Sequence, residues 1–239
     1  MSDFLFLPSH PSVSSAHYAA MKPLWEMLAN AGQKALTVTI LDLPWNHQCY
    51  DAYHSMVRHI RRKDGSWTFD YRVFDEYVAF GRSCGIGPWI ACYTMCPWDY
   101  AVCCGPEHPN TMCANELEEA FWLGVYPAMA GLDGFLRWAW NSWPQDPIRD
   151  ASCTGIGRGW PAGDTFLVYP DGSPSLRFLE LRNGIVAAEK FRILKEQDAL
   201  KKNDFASLPA KFDRKAAMEN TCDFAKLRSS VQKLVNKGR

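Results

Sequence analysis

Residues 16–43, AHYAAMKPLWEMLANAGQKALTVTILDL, join an amphipathic helix to a short apolar strand through a glycine. Over 16–31 the apolar side chains recur at the spacing of one helical face: Met21, Leu24, Trp25 and Leu28. Gly32 fits the C-terminal cap of that helix. The apolar and β-branched run 34–43 is typical of a buried strand. This stretch therefore predicts a helix–strand unit.

The same order of elements returns further along the chain. Residues 70–84 predict a second amphipathic helix, with Asp70 as its N-cap, and 88–95 predict a second buried strand. The polar segment 44–66 between the two units is predicted to be a loop with a turn at Asp64-Gly65.

Three more short strands are predicted at 100–104, 133–140 and 165–169. Helices are predicted at 115–130 and 175–200, where acidic side chains in the first turn of the former suit the helix dipole. Strands that alternate with helices at this spacing indicate parallel βα units. The fold class predicted from the pattern is therefore α/β, with five strands.

Composition excludes several classes of function. The chain has 239 residues, with 26 Lys plus Arg and 26 Asp plus Glu, so a nucleic-acid-binding role is disfavoured. No apolar run reaches about 18 residues, which excludes a membrane span. The opening MSDFLFLPSHPSVSS lacks the basic and apolar regions of a signal peptide, so we expect a cytoplasmic location for the chain as written.

The nine cysteines form no CxxC pair, which disfavours zinc-ribbon and thioredoxin-like sites. Five of them are close in sequence: Cys92, Cys96, Cys103, Cys104 and Cys113. A metal site there is the less favoured interpretation, and buried free thiols in strands are the favoured one. The odd number of cysteines favours a reducing compartment. We therefore expect neither a metal nor a cofactor.

The predicted strand ends are rich in aromatic side chains, which is where ligands bind in parallel α/β folds. An indole covers the apolar face of a pyranose, and an asparagine amide offers both a donor and an acceptor. The candidate sugar-binding residues are Trp45, Trp98, Trp138, Trp140, Asn141 and Trp143. Packing in the core is an equally weighted alternative for each tryptophan.

Other polar residues near the strand ends have two interpretations each. Asp42 would bind a sugar hydroxyl or cap the turn after the first strand. His108 is placed where titration would be useful, although an exposed loop histidine is the favoured interpretation.

Charged residues elsewhere have structural explanations. Arg137 lies in an apolar strand and requires a buried acid, for which Asp146 and Asp164 are the candidates. The pairs Asp75-Glu76 and Glu118-Glu119 are predicted to be on solvated helix faces.

Several of these segments resemble a known family in order and in wording. The segments are KALTVTILDLPWNHQCYD, VCCGPEHPNT, DGFLRWAWNSWPQDP and WPAGDTFLVYP. They resemble the catalytic domain of glycoside hydrolase family 123 over residues 16–196. We expect a loose arm at 1–15 before that domain and a charged, helical and solvated tail at 197–239 after it.

The resemblance implies a (β/α)8 barrel that removes β-linked N-acetylgalactosamine from glycans by substrate-assisted, retaining hydrolysis. In that scheme the acetamido oxygen of the sugar attacks the anomeric carbon. An Asp orients the acetamido group, and the adjacent Glu acts as general acid and then base. The expected partner is a glycan with an N-acetylhexosamine, and members of the family are often exported.

The chain departs from the family pattern at Trp98–Tyr100, where two blocks that are far apart in the family are nearly adjacent. Five predicted βα units instead of eight correspond to about 90 missing residues. The Asp-Glu pair falls inside this gap, so the resemblance assigns no catalytic residue, and Glu107 is the only acid near the strand ends that would replace it.

Three hypotheses remain open. The chain is a shortened hydrolase with little turnover, a non-catalytic carbohydrate-binding remnant, or an inactive fragment. The edges of an incomplete sheet would also allow self-association.

Overall fold

The structure is a computed structural model, and it describes residues 15–42, 54–93, 107–132, 134–135, 137, 139–152, 160–197, 199 and 211–236. The chain divides into two compact units. The first comprises Met1–Cys103 with Thr154–Gly159, and the second comprises Cys104–Cys153 with Trp160–Arg239. None of the helices within the described ranges is long and apolar enough to cross a bilayer.

The first unit is built on a pair of parallel strands. Helix α1 (Ser15–Asn30) leads to β1 (Ala35–Thr39), and α2 (Arg72–Ser83) leads to β4 (Trp89–Tyr93). Strands β1 and β4 pair in parallel along their whole length. The two predicted helix–strand units and their parallel arrangement are therefore confirmed, although each strand is shorter than predicted. The prediction that the second strand is buried is wrong, because Trp89, Ala91 and Cys92 of β4 are exposed.

The ends of α1 and α2 follow from local sequence. Pro23 lies inside α1 without interrupting it, and Gly32 adopts a φ of 98°, as expected for the residue after a helix. Tyr71, not Asp70, precedes the first residue of α2, although the Asp70 carboxylate accepts a hydrogen bond from the Arg72 N–H at 3.1 Å. The buried Trp25 of α1 meets Tyr77 of α2 edge to face at 5.0 Å between ring centroids.

The prediction that 44–66 is entirely a loop is wrong. Strands β2 (Arg58–Arg61) and β3 (Trp67–Asp70) form an antiparallel hairpin around the turn at Asp64-Gly65, where Gly65 has a φ of 87°. The polar composition was misleading because all four residues of β2 are exposed. A strand without a buried face has no apolar pattern by which to be recognised.

The second unit is mainly helical. Its helices are α3 (Leu117–Met129), α4 (Leu176–Glu196), α5 (Arg214–Met218) and α6 (Phe224–Val235). Helices α3 and α4 cross closely at Gly124 and Gly184, where a Cβ on Gly124 would lie 2.5 Å from the Leu181 carbonyl oxygen.

Helices α5 and α6 lie within the segment 197–239, predicted to be helical and solvated, but both bury apolar side chains. Phe212, Phe224, Leu227 and Val231 belong to the same buried cluster as Phe121 of α3. The charged side chains of this segment occupy the outer face, and its apolar residues recur at helical spacing.

The described residues of two strands predicted in the second unit, 133–140 and 165–169, form no strand, and isolated bridges occur there or directly beside them. Asn141 forms one antiparallel bridge with Phe166, and Val168 forms one with Pro174. The first pairing does not extend because Pro144 has no N–H and the Gly163 carbonyl accepts from Arg177 instead.

The α/β class is therefore borne out, whereas the part of the chain that the structure describes does not show the five predicted βα units of a barrel. The described residues contain two separate two-stranded sheets. The predicted strand at 100–104 lies outside the described residues.

Candidate functional site

The segment that carries three of the predicted sugar-binding residues runs beside residues 165–168. The Ser142 N–H donates to the Thr165 carbonyl at 3.0 Å, and the Leu167 N–H donates to the Trp140 carbonyl at 2.8 Å. The indole Nε1–H of Trp143 donates to the Val168 carbonyl at 2.7 Å. These bonds fix the orientation of the Trp143 ring.

The predicted sugar-binding residues have different surroundings. Trp140 and Asn141 are buried, and the Trp140 ring meets Phe178 edge to face at 4.6 Å, so Trp140 packs in the core and presents no face to solvent. Trp143 is half-buried. The other three candidates, Trp45, Trp98 and Trp138, lie outside the described residues.

The predicted buried acid for Arg137 is Asp164. The Arg137 Nη2 lies 3.4 Å from Oδ1 of Asp164 and also donates to the Asp164 carbonyl. Burial lowers the pKa of Arg137, and the charge of Asp164 opposes that effect. The other candidate, Asp146, pairs with the exposed Arg149. The prediction that this arginine needs a buried carboxylate is therefore confirmed.

A second buried arginine, Arg177, lies beside this pair. Its Nη1 donates to the Thr111 carbonyl at 2.5 Å and to the Gly163 carbonyl at 2.6 Å, and its guanidinium lies 5.4 Å from the centroid of the Phe166 ring. Burial lowers the pKa of Arg177. One side chain from the first turn of α4 thus ties two loops together.

Glu119 forms the most connected polar cluster in the described part of this unit. Its carboxylate is 1% exposed and lies 3.0 Å from Nδ1 of His108. It accepts from the Asn110 N–H at 3.0 Å, the Asn115 Nδ2 at 2.8 Å and the Glu116 N–H at 3.1 Å. The Asn115 Nδ2 also lies 3.1 Å from Nδ1 of His108, so the three side chains form one connected cluster.

The prediction that Glu118-Glu119 and His108 are solvated is wrong for Glu119 and for His108, which is partly buried. Glu119 turns inward because its main chain is at the third position of α3, where a glutamate side chain reaches back to the N-cap N–H. That spacing was the available signal in the sequence. In contrast, Asp75-Glu76 is exposed, as predicted.

The Glu119–His108 arrangement is suited to holding a loop and an imidazole, since the carboxylate is enclosed by donors. Glu107 is exposed, and only its main-chain carbonyl is engaged, by Asn115 Nδ2 at 2.8 Å. The geometry of the described residues assigns neither acid as a general acid.

Asp42 lies at the end of the first strand region, where its Oδ1 accepts from the Ser55 N–H at 2.7 Å and the exposed His54 lies 3.6 Å away. The turn that directly follows Asp42 lies outside the described residues. Both interpretations of Asp42, sugar contact and turn cap, therefore stay predictions.

The cysteine cluster does not form a metal site within the described ranges, where no group of three potential ligands converges. Cys92 and Cys113 are free thiols, as expected, but the prediction that they are buried is wrong, because both are exposed. Cys96, Cys103 and Cys104 lie outside the described residues.

Comparison with known proteins agrees with the sequence resemblance. The glycoside hydrolase 123 catalytic domain matches the chain in two segments, residues 10–102 and 100–194. The chain belongs to glycoside hydrolase family 123. No match is found among curated proteins.

Among solved structures, the chain is similar to a family 123 glycoside hydrolase from Clostridium perfringens, whose structure was analysed for glycolipid glycan hydrolysis. The TM-score is 0.75 at 15% sequence identity, over 94% of this chain and 65% of that chain. The likeness shows a shared fold. This chain spans 65% of the length of that relative.

Proposed function

We propose that this protein is a glycan-binding relative of the β-N-acetylgalactosaminidases that lacks the Asp-Glu pair for substrate-assisted hydrolysis. Its fold derives from a (β/α)8 barrel of which about five βα units are kept. It binds terminal β-linked N-acetylgalactosamine and turns it over slowly or not at all.

The observation that carries this proposal is the position of the two family matches, which meet at residues 100–102. Trp98–Tyr100, where the sequence pattern of the family is interrupted, lies at that junction. The coverage of 94% of this chain but 65% of the related structure supports a loss of segments from the fold. The family Asp-Glu pair belongs to the part that we infer is lost.

Binding is favoured over an inactive fragment by the packing of the second unit. Its helices share a buried apolar cluster that includes α5 and α6. Its loops are held by the buried side chains of Arg137, Arg177 and Glu119. The stability of this unit therefore rests on its apolar cluster and on these bonds, although the buried Thr111 Oγ1 and Arg177 Nη2 have no hydrogen-bond partner among the described residues.

The half-buried Trp143 is the described aromatic residue that we propose contacts the sugar. Its Nε1–H donates to the Val168 carbonyl, so we propose that the indole contacts a pyranose through its ring and not through this N–H. The neighbouring Asn141 supports this segment from the buried side. Trp45, Trp98 and Trp138 remain in the proposed set.

A thermal melt followed by tryptophan fluorescence, with and without N-acetylgalactosamine, tests the proposal. A ligand that binds only the folded state raises the midpoint, by about 2.7 kcal/mol of stability at a hundredfold excess over the dissociation constant. We expect a cooperative melt, an upward shift with this sugar, no shift with glucose and a smaller shift for Trp143→Ala.

Turnover of a chromogenic β-N-acetylgalactosaminide is measured on the same protein. A broad melt that ignores the sugar would contradict binding. Turnover at a rate typical of enzymes, about 1 per second or more, would show that an acid is present and would contradict the proposed loss.

A further inference from the structure

The β2–β3 hairpin presents a row of aromatic rings on one of its faces. Trp67 lies opposite Arg61 and Phe69 opposite His59, and residues directly opposite in an antiparallel pair share a face. The Phe69 ring meets the His59 ring edge to face at 5.3 Å and continues to Tyr71, 6.4 Å away between centroids.

These rings are open to solvent. The exposed fractions are 57% for Trp67, 46% for Phe69 and 50% for Tyr71. Large aromatic side chains are mostly buried in folded proteins, and a contiguous exposed group marks a binding surface. The hairpin therefore offers flat apolar area that the fold itself does not use.

The same hairpin is cationic in a chain whose net charge is zero. Residues 58–72 contain five Lys or Arg and two Asp. Both carboxylates are engaged: Asp64 accepts from Ser66, and Asp70 pairs with Arg72 at 2.6 Å. Within the described residues Arg61 has no ion pair, and it lies opposite Trp67. A free cation thus flanks an exposed ring.

The position of the hairpin also points to a ligand. The Met56 N–H donates to the Thr39 carbonyl at 2.9 Å, and the Thr39 Oγ1 donates to the His54 carbonyl at 3.2 Å. The chain therefore enters the hairpin from the carboxyl end of β1, which pairs in parallel with β4. In α/β folds, ligands bind outside the carboxyl ends of parallel strands.

We propose that this face, formed by His59, Arg61, Trp67, Phe69 and Tyr71, binds a sialylated glycan. Pyranose rings stack on Trp67 and Phe69, and the sialic acid carboxylate pairs with the guanidinium of Arg61, whose planar fork fits a carboxylate. This inference rests on the proposed function, in which the chain binds glycans. It adds a second contact, between Arg61 and a negatively charged sugar.

A glycan fits this face better than a lipid surface does. Polybasic segments that bind anionic membranes use clusters of about four to eight cations. Here Arg61 lies on the ring face, whereas Arg58 lies opposite Asp70 and Arg62 donates to Thr68 at 2.6 Å on the other face of the hairpin. The guanidinium of Arg61 beside a row of rings matches one acidic group on a sugar.

The test is calorimetric binding of the full chain to a sialylated oligosaccharide that ends in β-N-acetylgalactosamine and to its desialylated counterpart. We expect the sialylated form to bind about tenfold more tightly. Arg61→Gln removes that preference and keeps binding of the neutral form, whereas Trp67→Ala weakens binding of both by about tenfold. Free N-acetylgalactosamine, measured in parallel, reports on the proposed function separately.

Two matched variants serve as controls. Trp89→Ala removes a tryptophan of similar exposure on β4, and Arg62→Gln removes a cation from the opposite face of the hairpin. Both are expected to bind like the parent chain. Equal affinity for the two oligosaccharides, or unchanged binding by Trp67→Ala, overturns the hairpin proposal even when free N-acetylgalactosamine binds.

Two further results also overturn the hairpin proposal. One is a preference for a sulfated glycan over the sialylated one. The other is adsorption to phosphatidylserine vesicles that Trp67→Ala abolishes. If the parent chain binds neither free N-acetylgalactosamine nor either of the two oligosaccharides, the proposed function is contradicted as well.

Discussion

The Glu119 carboxylate lies 3.0 Å from Nδ1 of His108, eleven residues earlier in the chain. The carboxylate also accepts hydrogen bonds from the loop that joins the two residues, through the Asn110 N–H and the Asn115 side chain. One buried acid therefore holds the loop against the first turn of α3. In this respect the helix N-terminus organises the segment that precedes it.

Glu119→Gln is expected to lower the free energy of unfolding by about 2–3 kcal/mol. The new amide NH₂ would face N–H donors, so at least one buried donor loses its acceptor. Urea denaturation followed by circular dichroism measures the change. The adjacent Glu118→Gln is the control, with a change within about 0.5 kcal/mol. Equal effects of the two substitutions would contradict the special role of Glu119.

The buried pair Arg137–Asp164 predicts strong coupling. Arg137→Met or Asp164→Asn leaves the charge of the other partner buried and uncompensated. Each substitution is expected to lower the free energy of unfolding by about 3–5 kcal/mol. The double variant is expected to lose less than the sum, as a double-mutant cycle in urea would show. Arg149→Met, which breaks the exposed pair with Asp146, is the control at about 0–1 kcal/mol. Strict additivity would mean that the pair does not interact.

The crossing of α3 and α4 predicts that Gly124→Ala is destabilising. In an ordinary helix this change gains about 1 kcal/mol. Here the added Cβ would meet the Leu181 carbonyl and the Ile185 nitrogen within 2.8 Å, both of which are main-chain atoms. We expect a net loss of about 2 kcal/mol in thermal unfolding.

Gly134→Ala is the matched control, because a Cβ there would meet nothing within 4 Å. Its midpoint should stay close to that of the parent chain. A stabilised Gly124→Ala variant would show that the two helices do not approach as closely as described.

Tyr18 predicts an alkaline loss of stability in the first unit. Burial, reinforced by the negative charge of Glu76, raises the pKa of Tyr18 to about 12. A tyrosine in the unfolded chain has a pKa of about 10. The folded state therefore favours the protonated form, and the stability that this provides is complete below pH 10 and is lost as the pH rises toward 12.

Tyr18→Phe should remove this contribution to the pH dependence, because the ring contact with Phe80 remains and no ionisable group is left. At neutral pH the variant should be at least as stable, since the buried hydroxyl has no hydrogen-bond partner in the described part of the chain. Unfolding of both proteins between pH 9 and pH 12 provides the comparison. Parallel curves would contradict the assignment to Tyr18.

Local sequence was sufficient to predict an element where its residues suit one backbone conformation. Gly32 ends α1 with a positive φ, and the apolar run that contains Val38 forms β1. Arg137 could be assigned a buried acid because an unpaired charge is too costly inside a protein. The sequence left Asp146 and Asp164 open as partners of Arg137. Only the folded loops bring Asp164 close to that arginine.

Local sequence was insufficient where a residue depends on distant contacts. Trp140 and Trp143 are the same residue type and lie close together in sequence. Trp140 nevertheless packs against Phe178 in the core, whereas Trp143 is half-buried. The strands around Trp67 were missed because an exposed hairpin has no apolar periodicity. The apolar side chains of α6 were predicted to be part of a solvated tail because charged residues are frequent across 197–239 as a whole, although α6 itself has more apolar than charged residues.

By itself the sequence determined the α/β class, the parallel helix–strand units and the membership in family 123, because these depend on periodicity and on the order of motifs along the chain. Only the tertiary structure decided that Glu119 is buried against His108, which tryptophan is a core residue, and that the aromatic face of the hairpin is open. Burial depends on which segments, distant in sequence, cover a side chain, and no local pattern of residues contains that information.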